Sequence, residues 1–94
     1  MPKLPPEEIK NRLAGISGWQ LADNAIKKQF KFNDFMSAIA FVNRVAAAAE
    51  AADHHPDITV NYTRVTMALS THSASGITEK DFSLAQQIDL LGKA

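Results

Sequence analysis

The sequence predicts an α+β fold: a four-stranded antiparallel sheet with three helices on one face, in the order α-β-β-α-β-β-α. Three observations predict it. Apolar residues recur at three- and four-residue steps in separated segments, as one face of a helix requires. Between these segments, apolar residues alternate with polar ones in pairs of short runs, the period of a half-buried strand. The runs of each pair follow one another closely, with no room for a long parallel crossover, so each pair reads as a hairpin. One face of such a sheet carries the helices, and the other is left for solvent or a partner.

The elements follow in order. Pro5 and Pro6 suit the first turn of a helix, where a missing N–H costs nothing. Glu7 and Glu8 favour the positive end of its dipole. Ile9 and Leu13 lie on one face, and Gly15 stops the helix. Residues 19–22 then read as a strand and Asp23-Asn24 as a turn. Ile26, Phe30 and Phe32 share a face of the next strand. Lys28 interrupts that face, which marks an edge or a snorkelling stem. Asn33 is placed to cap the longest helix. Its stripe is Phe35, Ala38, Ile39, Val42, Val45, Ala46 and Ala49, about five turns long. The small residues in it allow another element to approach closely. Pro56 prevents continuation and biases His55 towards extended backbone. Ile58, Val60 and Tyr62 alternate with Thr59 and Asn61, and Val65, Met67 and Leu69 with Thr66 and Ala68, giving two strands in tight succession. Tyr62 and the phenylalanines read as core. Thr78 with Asp81 three residues on resembles a capping box, although that motif prefers Glu or Gln. Phe82, Ala85, Ile88 and Leu91 give the last helix its apolar side.

Composition narrows the class. Residues 1–94 read as a single domain, short enough that oligomerisation is a natural way to bury more apolar surface. Ten basic and ten acidic residues cancel, which argues against a nucleic-acid partner held by phosphate neutralisation. The absence of cysteine removes disulfides and thiolate metal sites. No apolar run approaches the roughly 20 residues of a membrane span, and residues 1–8 lack the apolar core of a signal peptide. The cytoplasm is the expected location. With four glycines and no glycine-rich phosphate loop, no nucleotide cofactor is expected.

The chemistry concentrates in one window. All three histidines, His54, His55 and His72, lie within it, flanked by Glu50 and Asp81. Imidazole both takes and gives a proton near neutral pH, so the window reads as an acid–base site. If the third and fourth strands are antiparallel neighbours, the start of one adjoins the end of the other. His54 or His55 then meets His72 at one edge of the sheet, and Asp81 returns towards that edge. Blander roles stand beside these. One of the paired histidines could cap the preceding helix, Asp81 could serve only Thr78, and Glu50 could be solvated. Trp19 taken alone reads as core or rim packing. Zinc ligation is disfavoured because adjacent histidines point apart and no His-x-x-x-His is present. Nucleophilic catalysis lacks both cysteine and a Gly-x-Ser-x-Gly elbow.

Glu50-x-x-x-His54-His55-Pro56, then Tyr62, His72 and Asp81 at their spacings, resembles the pterin-4a-carbinolamine dehydratases. Trp19, Phe30-x-Phe32, the stretch from Phe41 to Glu50, Leu69-Ser70-Thr71-His72 and Thr78-Glu79-Lys80-Asp81-Phe82 extend the likeness over residues 16–90. The resemblance implies the fold inferred above, assembled as a homodimer or homotetramer. It also implies dehydration of a 4a-hydroxytetrahydropterin to quinonoid dihydropterin, without metal or cofactor, serving an aromatic amino-acid hydroxylase. On that likeness His54 and His72 are the acid–base pair and His55 positions the pterin. Glu50 and Asp81 tune the imidazoles, and Trp19 and Pro56 offer apolar walls. The same family includes members that act as dimerisation cofactors for a transcription factor. A protein-interaction role is therefore the alternative.

Overall fold

The computed structural model describes residues 2–93. Its elements are α1 (Pro6–Leu13), β1 (Gln20–Ala22), β2 (Ala25–Lys31), α2 (Phe35–Ala52), β3 (Asp57–Asn61), β4 (Arg64–Leu69), a 3-10 turn (His72–Ala74) and α3 (Glu79–Gly92). The four strands form one antiparallel sheet in the order β1-β2-β4-β3. The α+β class and the order of elements match the expectation.

Local chemistry explains most boundaries. Asp23 and Asn24 both hold positive φ, 51° and 64°, and close the β1–β2 hairpin with Ala22 opposite Ala25. Asx side chains tolerate that conformation, which hairpin turns of two residues need. Thr78 and Asp81 form a reciprocal capping box at the start of α3, with Asp doing what Glu usually does. The cap of α2 lies one residue later than expected. Asp34, not Asn33, has the extended backbone, and its carboxylate accepts from the Ser37 N–H at 2.7 Å.

The core lies between one sheet face and the helices. On β4 the alternation is clean: Val65, Met67 and Leu69 are buried, and Thr66 and Ala68 face the other way. Ile26 from β2 joins them, with Ala38, Phe41, Val45 and Ala49 from α2 and Phe82, Leu84, Ala85 and Ile88 from α3. Phe41 packs against Phe30 and Phe32 with ring centroids 4.8 Å and 5.0 Å away. By length and composition α2 could cross a bilayer. In this fold its buried stripe forms core, and Arg44 donates to the Leu91 carbonyl at the end of α3.

Three expectations about single residues are corrected. Tyr62 is 70% exposed rather than core, because it occupies the β3–β4 turn at φ 54° instead of continuing the strand. Phe35 opens α2 and is 45% exposed. Lys28 does not mark an edge, since β2 pairs on both sides. Its stem snorkels instead: the ammonium donates to Asp89 and to the Ser17 carbonyl and sits over the Phe30 ring.

Candidate active site

The geometry begins at the end of α2. Asp53 adopts the left-handed conformation at φ 51°, and its N–H and that of His54 turn back to the last carbonyls of the helix. This cap, with Pro56 beyond it, lifts His54 and His55 off the helix axis and leads the chain into β3. Asp57 at the start of β3 lies opposite Ala68 near the end of β4. Two residues past that end, Thr71 and Gly76 bridge to close the short loop that carries His72. The third strand's beginning and the fourth strand's exit therefore share one end of the sheet.

Two of the histidines are paired with carboxylates. His54 Nε2 lies 2.5 Å from Asp81 Oδ1, and the Asp81 side chain is fully buried. His55 Nε2 lies 2.7 Å from Glu50 Oε1 in a solvent-exposed pair. Asp81 is satisfied on its other oxygen too: Oδ2 accepts from the Thr78 N–H and from the Thr71 hydroxyl, each at 2.9 Å. Both carboxylate oxygens are therefore occupied, one by the imidazole and one by the threonine pair. Asp81 thus serves both the helix cap and the imidazole, the two roles the sequence left open for it. Glu50 reaches His55 while its side chain stays 79% exposed.

His72 is exposed on the 3-10 turn and faces a different opening. It lines a recess of ≈ 440 Å³ on the open sheet face, with Ala25, Ala68 and Ser70 as a floor of small side chains. Asp23, Lys27 and Asp57 stand around it. His54 instead lines a smaller cavity of ≈ 190 Å³ beside α3, with Lys80, Ser83 and Gln87. The two histidines are linked through Asp81, which meets His54, and Thr71, which meets Asp81 and precedes His72 in the chain. Among the described residues, no three His, Asp or Glu side chains are grouped to hold a metal ion.

A sequence family described as pterin 4 alpha carbinolamine dehydratase matches residues 2–91. The chain belongs to this family. The match to the pterin 4 alpha carbinolamine dehydratases extends nearer the N-terminus than residue 16, where the motif-level likeness begins. A candidate pterin-4-alpha-carbinolamine dehydratase of Chloroflexus aurantiacus is 53% identical over 89 residues, 95% of this chain and 96% of its own length. Among solved structures, a transcriptional coactivator/pterin dehydratase from Brucella melitensis superposes with a TM-score of 0.92 at 38% identity, covering 96% of this chain and 98% of its own. A pterin dehydratase-like protein identified as a RuBisCO assembly factor in the alpha-carboxysome gives a TM-score of 0.67 at 25% identity, covering 81% and 88%.

One residue expected at the site is not brought there. Trp19 is 4% exposed, and its indole N–H donates to both oxygens of Asp89, at 3.1 Å and 3.0 Å. Asp89 lies eight residues beyond Asp81 on α3, about 12 Å along the helix. Trp19 is a core aromatic, stacked edge-on to Phe30 at 6.2 Å. Pro56 is half-buried directly after the histidine pair. Sequence reasoning missed Thr71 as a member of the site. Its visible signals were its place between a strand end and a histidine and its membership of the Leu69-Ser70-Thr71-His72 stretch.

Proposed function

We propose that this protein is a hydro-lyase that dehydrates 4a-hydroxytetrahydropterin to quinonoid dihydropterin by histidine general acid–base catalysis, within tetrahydrobiopterin recycling. The bond between His54 Nε2 and the buried Asp81 carboxylate carries this reading. A carboxylate on one ring nitrogen fixes the imidazole's orientation and leaves the other nitrogen for proton exchange. His72, at the same end of the sheet though lining the neighbouring recess, is assigned the second proton-transfer role on the family resemblance. In the elimination one imidazole takes the proton from N5, and the electron pair released forms the C4a=N5 bond. The 4a-hydroxyl departs with a proton from the other imidazole, so that water is the only other product. Exchange with solvent resets both rings. No electron acceptor is required. His55, tethered by Glu50, positions the pterin, and Pro56 gives the flat ring an apolar neighbour. The implied setting is the cytoplasm, alongside an aromatic amino-acid hydroxylase that forms the substrate, with the protein acting as a homodimer or homotetramer.

The test is the turnover of freshly generated 4a-hydroxytetrahydropterin, followed by absorbance. His54→Ala and His72→Ala should each lower kcat by about 10² to 10⁴-fold. The wild-type profile of kcat/KM against pH should have both an acid and an alkaline limb, because one group must be protonated and the other not. Unchanged turnover in both variants would remove the catalytic reading.

A second reading, a protein-interaction module, is favoured by one observation. Met36 is 72%, Leu90 67% and Leu21 51% exposed, which leaves large apolar side chains on the surface. The names of the two solved relatives, coactivator and assembly factor, point the same way. A protein that binds a transcription factor or assembly client through such residues would be indifferent to His54→Ala and His72→Ala.

A further inference from the structure

We infer that Thr71 is a positioning residue that holds Asp81 in the orientation by which it selects the proton-exchanging nitrogen of His54, and that it ties this setting to the loop carrying His72. A chain of hydrogen bonds, buried at its two threonines, fixes where each proton lies. The Lys80 N–H donates to Thr78 Oγ1 at 3.2 Å. Thr78 Oγ1 and Thr71 Oγ1 are 2.8 Å apart. Thr71 Oγ1 donates to Asp81 Oδ2 at 2.9 Å. Each hydroxyl owns one proton. Since the Thr71 proton is directed at Asp81, the proton between the two threonines belongs to Thr78. Every hydroxyl in the chain therefore points the same way, and the chain ends on a carboxylate that only accepts.

With Oδ2 held by Thr71 and the Thr78 N–H, the other oxygen is presented to His54. Oδ1 faces His54 Nε2 at 2.5 Å, and an acceptor-only carboxylate requires that nitrogen to carry the proton. Neutral His54 is therefore the Nε2–H tautomer. Its Nδ1 has no hydrogen-bond partner among the described residues and is not sealed from solvent. Nδ1 is the atom through which His54 takes or gives a proton.

Thr71 reaches His72 by its backbone. Its N–H donates to the Gly76 carbonyl at 2.8 Å, and its carbonyl accepts from Gly76 at 3.3 Å and from Ala74 at 3.1 Å. These bonds close the loop around the 3-10 turn on which His72 sits. One buried residue, 5% exposed, thus holds one imidazole through its side chain and the other through its main chain. Thr78 cannot replace it, because its carboxylate contact is through the backbone N–H alone.

The experiment is nitrogen-15 NMR of the imidazole rings in the resting full chain, combined with turnover in Thr71→Val and Thr71→Ser. In the unaltered protein, neutral His54 should show the Nε2–H tautomer, with a strongly downfield ring proton. Observation of the Nδ1–H tautomer would overturn the inference without any variant having to fold. Thr71→Val should move that resonance upfield and speed its exchange. It should lower kcat about tenfold at little change in KM, the scale of one hydrogen bond to a charged group. Thr71→Ser, which keeps the donor, should restore both. A resonance and kcat unmoved by Thr71→Val, or a serine variant as impaired as the valine one, would also overturn it. The kinetic arm rests on the dehydratase reading and the spectroscopic arm does not. A protein without dehydratase activity but with the expected tautomer would sink the former reading alone.

Discussion

Asp81 and Asp89 lie on the same helix and do unlike work. Asp81 is fully buried and spends its acceptor capacity on two threonines and an imidazole. Asp89 accepts from Trp19 and Lys28 and is part of a clasp between the strand side and the end of α3. The motif around Asp81 was legible because its partners are themselves spaced in the sequence pattern. The role of Asp89 was not, because its partner Trp19 is 70 positions away and nothing local marks the pairing. Trp19 itself remained ambiguous between core and substrate wall for the same reason. The clasp makes a prediction about stability. Trp19→Phe keeps most of the apolar contact and leaves Asp89 with Lys28, so it should cost about 1 kcal/mol. Asp89→Ala leaves the Trp19 N–H with no partner and the Lys28 ammonium with only the Ser17 carbonyl. Allowing for the roughly one-fifth exposure of Lys28 and Asp89, it should cost about 2 kcal/mol. Urea melts of both variants check the order. A Trp19→Phe variant less stable than Asp89→Ala would show that ring packing, not the clasp, holds this end of the helix.

At the level of elements, α2 shows how far periodicity reaches. The spacing of Ala38, Val45 and Ala49 identified its buried face correctly. Its start was misplaced by one residue, since Asn33 and Asp34 are equally good caps by residue type and only backbone geometry separates them. Tyr62 was misread because alternation continues through it while the chain is already turning. The Asp34 cap has a consequence for acid stability. The Ser37 N–H, and then the Ser37 hydroxyl, hold the Asp34 carboxyl below its ordinary value of 3.8. A lowered folded-state pKa means that the ionised cap stabilises the fold above that ordinary value, and that the contribution is lost as pH falls through the folded one. Asp34→Ala should therefore melt at a lower temperature than wild type by a constant margin above about pH 4. Below that the margin should shrink as the wild-type cap itself protonates. Thermal melts from pH 2 to 6 follow it. A margin unchanged down to the lowest pH would mean that the helix start does not depend on the cap's charge.

For the whole molecule, sheet order matters more than any single strand. Placing β2 and β4 in the middle brings the start of β3 beside the end of β4, which gathers the histidine window at one end. That arrangement was readable from the tight succession of the two runs, but the separate recesses lined by His54 and His72 were not, because they depend on which way side chains point. The same order leaves β3 at an edge, with Val60 38% exposed beside an open ladder. It also leaves Met36 exposed on α2, opposite the helix's buried stripe. If the protein assembles as proposed, these are two surfaces able to join copies, one by extending the sheet and one by packing helices. They make separable predictions. Val60→Lys places a charge on the edge strand and should shift the assembly towards smaller species by weakening sheet extension. Met36→Lys should spare a dimer joined through β3 and remove only a larger assembly. Sedimentation velocity across a concentration series reads both. The residues of the candidate site all come from one chain, so turnover per chain should persist in either variant. A wild-type protein that remains monomeric at every concentration would leave both surfaces without a partner copy. The exposed apolar residues would then point to a different protein as their occupant.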